Sequence, residues 1–299
     1  MKDDFLVLAR LWLHEPNADL IEQAQTGLGL PFAEQQELAV AYSDLFLLNV
    51  YPYASLFLEP TGEMNGTRAQ QVAALYEEYA YAPSELNAVG AADHIGLMLG
   101  MAGEIGQDSI LPFLMDWAPV LCLAVERAPT THPFYQTLAA RTRELLFSEN
   151  RKSKIENRKS DIESPISNFQ ILPDEDQELS TRAVVHYLLT PARSGMFLTR
   201  ARLGLWGRAL GAPLAFGERF QVGLALLESA GATGQVAQAL NWLRAEVEMW
   251  DAAYAQWASE YEWRYAAMWS ERTTNTLRLL EEMNRLLETS PILNADEIQ

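Results

Sequence analysis

The stretch Ala92-Asp-His-Ile-Gly-Leu-Met-Leu-Gly-Met-Ala-Gly-Glu-Ile-Gly106 predicts a helix that packs closely against a neighbour. Asp93 is a residue type that caps helix N-termini well, which would place His94 in the first turn. Glycines then follow at i, i+4, i+7 and i+10 on one helix face: Gly96, Gly100, Gly103 and Gly106. Because a glycine inside a helix costs about 1 kcal/mol relative to alanine, this row indicates that a neighbouring helix or a bound peptide approaches the backbone.

Helical periodicity continues on both sides of this stretch. Apolar residues recur at i, i+4, i+7 and i+8 in the set Leu38, Tyr42, Leu45 and Phe46. Similar patterns cover residues 67–79, 95–105, 111–125 and 134–147. No segment shows the sustained period-two alternation of β-branched residues that predicts a strand. The sequence therefore predicts an all-α fold, in which a helical bundle domain is followed by a second helical region.

The last third of the chain is helical and rich in aromatic residues. One helix face carries a stripe that steps mostly by three or four residues: Trp242, Trp250, Tyr254, Trp257, Tyr261, Tyr265 and Trp269. The favoured interpretation is a stripe of rings that faces the core, and the alternative is a groove for an apolar peptide. Trp263 lies off the stripe, so this helix either packs on two sides or exposes one ring.

A polar near-repeat divides the chain. Glu149-Asn-Arg-Lys-Ser-Lys-Ile155 is followed directly by Glu156-Asn-Arg-Lys-Ser-Asp-Ile162. Each copy has one apolar residue, which is too few for the buried seam of a coiled coil. We therefore expect residues 149–177 to form a mobile linker or insertion. A helical domain would then occupy residues 1–148, and a helical C-terminal extension residues 178–299.

Composition and charge exclude several classes of protein. Of the 299 residues, 49% are hydrophobic and 21% are charged, which is typical of a soluble globular protein. The chain has 22 Lys and Arg against 40 Asp and Glu, and its net charge is −18. Residues 1–148 have 6 against 19, a net charge of −13. A nucleic-acid binder would have a basic surface, whereas an acidic domain suits a positively charged partner.

Neither a secretory signal nor a bilayer-spanning segment is recognisable in the sequence. We therefore expect a cytoplasmic protein without membrane insertion, and the sequence leaves its oligomeric state open.

Motifs for catalysis are not recognisable either. The histidines are isolated from one another along the chain (His14, His94, His132 and His186), and Cys122 is the single cysteine. No metal site is therefore predicted from these residue types. Gly27-Leu-Gly29 lacks the third glycine of a dinucleotide-binding turn, and neither a phosphate-binding loop nor a nucleophile elbow is present. We predict a protein that is not an enzyme and that has no cofactor.

An aromatic segment, Val50-Tyr-Pro-Tyr-Ala-Ser-Leu-Phe57, follows the helix that contains Phe46. Proline favours an extended backbone for the residue that precedes it, so we expect a loop here. Tyr51 and Tyr53 either anchor this loop in the core or form an aromatic wall for a ligand. The pair Asp93 and His94 has two interpretations as well: a helix cap, or a carboxylate and an imidazole side by side at a helix mouth.

Taken in this order, the elements resemble the TorD/DmsD/NarJ family. The elements that carry the resemblance are the helix with Tyr42-Ser-Asp-Leu-Phe46, the loop Tyr51-Pro-Tyr-Ala-Ser55, the helix end Tyr79-Ala-Tyr81, the helix start Asp93-His-Ile-Gly96, the segment Asp116-Trp-Ala-Pro119 and the segment Pro133-Phe-Tyr135. The resemblance covers residues 1–148, about half of the chain.

This resemblance implies an all-helical cytoplasmic chaperone. Such a chaperone binds the twin-arginine signal peptide, or the apo-form, of a molybdopterin oxidoreductase catalytic subunit and holds it until the cofactor is inserted. The implied peptide-binding residues are Asp93, His94, Tyr51, Tyr53 and Ser55, and Asp93 would accept a hydrogen bond from a client arginine. Met98 stands where the family often has a glutamate. This departure favours the alternative of a helical scaffold or regulatory module that has lost signal-peptide binding.

Overall fold

The computed structural model describes residues 2–152, 180–213 and 216–289. Within these ranges the regular secondary structure is helical, and one isolated antiparallel bridge joins Tyr53 to His94. The predicted all-α fold is confirmed.

The chain divides into two compact units. Unit 1 comprises Met1–Ser167 together with Phe197–Arg202, and unit 2 comprises Asn168–Met196 together with Leu203–Gln299. A short segment from the C-terminal half therefore belongs to unit 1, which the sequence did not indicate.

The described part of unit 1 is a bundle of helices. They are α1 (Lys2–Leu13), α2 (Ala18–Leu28), α3 (Gln35–Tyr42), a π-helix (Ser43–Asn49), α4 (Ala54–Leu58), α5 (Thr67–Glu78), α6 (Leu86–Val89), α7 (Ile95–Glu104), α8 (Gln107–Met115), α9 (Ala118–Arg127) and α10 (Pro133–Lys152). The predicted linker at 149–177 begins inside α10, and from residue 153 onward it lies outside the described residues. The predicted domain boundaries stay a prediction.

Helix α7 packs against α1 through its glycine face, as the sequence predicts. A Cβ atom added at Gly96 would lie 2.5 Å from Leu13 Cγ and 2.9 Å from the backbone oxygen of Ala9. A Cβ atom at Gly103 would lie 2.7 Å from Leu6 Cδ2. The small side chains therefore let the two helices approach closely, and this contact fixes the start of α7 in unit 1.

The other two glycines of the row have different surroundings. The hydroxyl oxygen of Tyr81 lies 2.6 Å from the position of a Cβ at Gly100, so a side chain rather than α1 fills that space most closely. Gly106 follows α7 with a φ of 132°, and nothing beyond its chain neighbours lies within 4 Å of its Cβ position. The prediction of close packing is therefore wrong for Gly106, which forms the turn into α8.

Helix α3 continues directly into the π-helix. The predicted apolar face is confirmed, because its members are all buried: Leu38, Tyr42, Leu45 and Phe46. The rings of Trp12 and Phe46 lie 5.0 Å apart, and the indole nitrogen of Trp12 donates to Thr142 Oγ1 at 3.0 Å. These contacts hold the helix that leads into the aromatic loop.

The described helices of the C-terminal region are α11 (Thr181–Leu189), α12 (Pro191–Ser194), α13 (Arg200–Ala209), α14 (Arg219–Ala232), α15 (Val236–Tyr261) and α16 (Ala266–Thr289). The first three residues of α13 belong to unit 1, and the remaining helical residues in this set belong to unit 2. Most rings of the aromatic stripe are buried in unit 2: Trp250, Tyr254, Trp257 and Trp269. The interpretation of the stripe as core is therefore confirmed for these rings.

The stripe does not lie on one helix, however. Glu262 has a φ of 50° and ends α15, and α16 begins at Ala266. This break turns Trp263 inward, where its ring lies 5.4 Å from that of Trp257 and 6.0 Å from that of Tyr254. The sequence predicted that this helix either packs on two sides or exposes the ring of Trp263. Both alternatives are wrong, because they require an unbroken helix.

Among the described residues, no single helix is long and apolar enough to cross a membrane. Helices α8 and α9 reach the required length only as a pair, and they bend by 56° at the break between them. Every residue from Ala118 to Val125 in α9 is buried.

Candidate functional site

The aromatic loop and the start of α7 pair through their backbones. The bridge between Tyr53 and His94 is antiparallel. On one side of it, the amide of Ala54 donates to the carbonyl oxygen of Asp93 at 3.1 Å. On the other side, the amide of Ile95 donates to the carbonyl oxygen of Pro52 at 2.9 Å. Two segments about forty residues apart in sequence thus lie next to each other in unit 1.

Asp93 caps a helix other than its own. Its Oδ2 accepts a hydrogen bond from the backbone nitrogen of Ser55 at 2.6 Å and another from Ser55 Oγ. Ser55 is the second residue of α4, so the carboxylate satisfies an N–H group that has no partner within that helix. The prediction that Asp93 caps α7 is wrong, because the side chain that fills this role belongs to His94.

The Asp93 carboxyl is fully buried. Both Asp93 and Ser55 are 0% exposed. Burial raises the pKa of the Asp93 carboxyl above its ordinary value, although the hydrogen bonds from Ser55 oppose this rise. Oδ1 has no hydrogen-bond partner among the described residues. The buried carboxyl therefore has no exposed surface available to a client side chain.

His94 presents a neutral imidazole at the start of α7. Its Nδ1 accepts a hydrogen bond from the backbone nitrogen of Gly96 at 3.1 Å. A neutral ring that accepts at Nδ1 carries its proton on Nε2. Burial lowers the pKa of His94 to about 3, so the ring is uncharged at neutral pH. His94 therefore offers a hydrogen-bond donor without a positive charge.

The two tyrosines of the loop have different surroundings. The ring of Tyr53 meets the ring of His94 nearly edge-on, with centroids 4.9 Å apart, and its hydroxyl donates to the carbonyl oxygen of Val89 at 2.8 Å. Tyr51, two residues earlier, is 37% exposed. Tyr53 therefore anchors the loop, whereas Tyr51 leaves part of its ring accessible. The structure brings Tyr53 and Ser55 into contact with the Asp93–His94 pair but gives Tyr51 no such contact.

Sequence reasoning missed two accessible leucines close to Tyr51. Leu47 is 57% exposed and Leu48 is 52% exposed, and both lie near the end of the π-helix. With Tyr51 they place three accessible apolar side chains within five residues. A signal was present in the sequence, because only Leu45 and Phe46 of the four apolar residues 45–48 fit the predicted buried face.

Met98 lies one turn after His94 and is fully buried in α7. A glutamate at this position would place a carboxylate among apolar side chains, which is costly without a partner. The difference from the family pattern therefore agrees with the packing of unit 1.

Residues 14–111 match the protein-family model described as nitrate reductase delta subunit. The resemblance to NarJ-type chaperones is confirmed for this segment. The nitrate reductase delta family is a family of molybdoenzyme maturation chaperones, whose partners are molybdoenzyme catalytic subunits. The matched segment covers about a third of the chain, and the loop and the Asp93–His94 pair both lie inside it. Comparison with the curated proteins and with the solved structures gave no match.

Chemically, the site combines fixed hydrogen-bonding groups with accessible apolar surface. In the part of the chain that the structure describes, no three His, Cys, Asp or Glu side chains lie together as a metal ion would require. The carboxyl of Asp93 binds a backbone group of α4, and the imidazole of His94 binds a backbone group of α7, the helix that it caps. These two side chains fix the loop, whereas Tyr51 and the neighbouring Leu47 and Leu48 are accessible.

Proposed function

We propose that this protein is a cytoplasmic maturation chaperone for a molybdopterin oxidoreductase. It would bind the signal peptide or the apo-form of the catalytic subunit and assist cofactor insertion before export or assembly. The observation that carries this proposal is the family match over residues 14–111, which encloses the aromatic loop and the residues that fix it. A chaperone of this kind binds its client without chemical conversion, so we propose no enzymatic activity and no cofactor of its own.

The charge of the chain supports a client with a positively charged segment. Residues 1–148 have a net charge of −13, and complementary charge accelerates the encounter of partners and favours the correct one. A signal peptide combines such a cationic segment with an apolar stretch. The proposed site offers the matching apolar surface in Leu47, Leu48 and Tyr51, each more than a third exposed.

Within this proposal the five site residues have two different roles. Tyr51 contacts the client directly, together with the two leucines that precede it. Tyr53, Ser55 and Asp93 hold the loop in place through the hydrogen bonds described above. His94 keeps the start of α7 next to the loop through its backbone bridge to Tyr53.

A helical scaffold or regulatory module without signal-peptide binding is the second candidate. The burial of Asp93 favours it, because a carboxylate that is 0% exposed and bonded to Ser55 cannot pair with a client arginine in this conformation. Under this alternative the loop would still be ordered by the same hydrogen bonds, but it would have no affinity for the leader.

Calorimetric titration separates the two candidates. The probe is a synthetic peptide of the N-terminal segment of the molybdopterin oxidoreductase catalytic subunit encoded by the same organism. We expect the wild-type chain to bind and the variant Leu48→Asp to bind at least tenfold more weakly. Ile105→Asp is the matched control, since Ile105 is 44% exposed at the opposite end of α7 from His94. Absence of binding by the wild-type chain would favour the scaffold.

A further inference from the structure

A segment from the C-terminal half of the chain is built into unit 1 next to the aromatic loop. Phe197–Arg202 belongs to unit 1, although about forty-five residues separate it from the end of α10. Its first three residues, Phe197, Leu198 and Thr199, are at most 2% exposed. The segment is therefore an integral part of the packing of this unit.

Its first contact lies just before the loop. The side chain of Asn49, the last residue of the π-helix, is 5% exposed. Its Oδ1 accepts a hydrogen bond from the backbone nitrogen of Ala201 at 3.1 Å, and its Nδ2 donates to the carbonyl oxygen of Asp44 at 2.8 Å. One amide thus ties the end of the π-helix to the segment, two residues before Tyr51.

Its second contact lies just after the loop. The ring of Phe197 stacks on the ring of Phe57, with centroids 5.0 Å apart and an angle of 17° between the planes. Phe57 also contacts Trp117 at 5.6 Å. Phe57 is in α4, the five-residue helix whose second residue, Ser55, binds Asp93. A shift of Phe57 would therefore displace the hydrogen bonds that fix the loop.

We propose that Phe197–Arg202 is a positioning element of the peptide-binding site, because it holds the Tyr51–Ser55 loop at both ends. This inference rests on the proposed function and adds to it that the site depends on a segment outside the family-matched residues. A five-residue helix has little stability of its own, so contacts at Asn49 and Phe57 set the position of the loop.

The substitution Ala201→Pro tests the first contact. Thr199 Oγ1 accepts from the backbone nitrogen of Arg202 at 3.0 Å, which makes Thr199 the cap of α13 and places Ala201 in the first turn. Proline is tolerated in the first turn of a helix, where it removes the N–H group that donates to Asn49 Oδ1 and also restricts the backbone of Arg200 before it. Ala201→Ser keeps this N–H group and is the matched control.

We expect Ala201→Pro to bind the leader peptide roughly two- to tenfold more weakly, the range that one hydrogen bond supports. Amide hydrogen exchange at Ser55 should accelerate in this variant, while the melting temperature stays close to that of Ala201→Ser. An unchanged affinity together with unchanged exchange at Ser55 would overturn the proposal.

The pair Phe197→Leu and Phe197→Ala tests the second contact. Leucine keeps most of the apolar volume next to Phe57, whereas alanine removes it. Phe197→Leu should therefore keep the exchange protection at Ser55 and the leader affinity, and Phe197→Ala should lose both. Losses in Phe197→Ala that merely follow the drop in global stability, with equal effects at amides distant from the loop, would contradict a positioning role. If the wild-type chain binds no leader, the proposed function fails, and exchange at Ser55 still decides whether the segment holds the loop.

Discussion

Two aromatic regions of the molecule have different surroundings. In unit 2 the rings of Trp250, Tyr254, Trp257 and Trp269 are at most 4% exposed, and the rings contact one another. In unit 1 the loop places Tyr53 against His94 and leaves Tyr51 37% exposed. The presence of aromatic residues alone therefore does not show whether a segment is buried or accessible.

The difference lies in what the polar groups do. In the unit 2 cluster the hydroxyl of Tyr254 donates to the carbonyl oxygen of Gly195 at 2.6 Å, which satisfies a polar atom inside a core. At the loop, the carboxyl of Asp93 and the imidazole of His94 accept hydrogen bonds from backbone N–H groups at the starts of two helices. In unit 1, polar side chains fix an irregular segment next to the accessible ring of Tyr51, whereas the rings of the unit 2 cluster pack against one another.

The largest expected effect is in the core cluster. Trp250→Ala should lower the free energy of unfolding by about 3–5 kcal/mol, as removal of a fully buried ring does. Chemical denaturation measures this effect. Met249→Ala, at a neighbouring position that is 39% exposed, should change it by no more than about 0.5 kcal/mol. A Trp250→Ala variant that keeps its stability but loses leader binding would show that the unit 2 cluster, rather than being core, binds the leader.

The second prediction concerns acid. An unfolded chain protonates His94 near pH 6.5, whereas the buried ring stays neutral down to about pH 3. The stability due to this neutral ring is complete above pH 6.5, and it is lost as the pH falls toward 3, by at most about 1.4 kcal/mol per pH unit. His94→Gln does not titrate, so its stability should fall less steeply between pH 6.5 and 4.

Asp93 also contributes to the dependence of stability on pH, with a sign opposite to that of His94. Its pKa is raised in the folded state, so protonation on acidification stabilises the fold and opposes the effect of His94. The difference between the wild-type and His94→Gln profiles removes this shared contribution. Parallel profiles would show that His94 is not buried in its neutral form.

The third prediction tests the contact between α1 and α7. Gly96→Ala should destabilise the protein by about 1–3 kcal/mol, since the added Cβ would lie 2.9 Å from the backbone oxygen of Ala9. Gly27→Ala in α2 meets no atom within 4 Å and should stabilise by about 0.5–1 kcal/mol. Equal melting temperatures for the two variants would contradict the close approach of these helices.

Much of the helical fold is predictable because it depends on local periodicity. The buried face of Leu38, Tyr42, Leu45 and Phe46 and the glycine face of α7 follow from helix geometry alone. The break at Glu262 is not predictable in this way, because a glutamate with a φ of 50° has no turn signature in the sequence. The break is followed directly by Trp263, whose ring is buried.

The five proposed site residues come from motif resemblance, and the contacts among them were not predictable from the sequence. Motif resemblance singled out Asp93 and His94, yet it could not show that Asp93 binds Ser55 rather than capping its own helix. That partner is 38 residues away, and only the tertiary fold brings it close. The inclusion of Phe197–Arg202 in unit 1 is a long-range contact of the same kind.

One titration tests whether the loop of unit 1 is the binding surface. Tyr51 and Tyr79 are each 37% exposed, so Tyr51→Ser and Tyr79→Ser remove similar accessible rings, one in the loop and one at the end of α5. Both substitutions should leave stability within about 0.5 kcal/mol of the wild type. With the synthetic leader peptide of the oxidoreductase catalytic subunit in the calorimeter, we predict that Tyr51→Ser binds at least fivefold more weakly than Tyr79→Ser, which should match the wild type. Equal affinities for all three proteins would contradict the account.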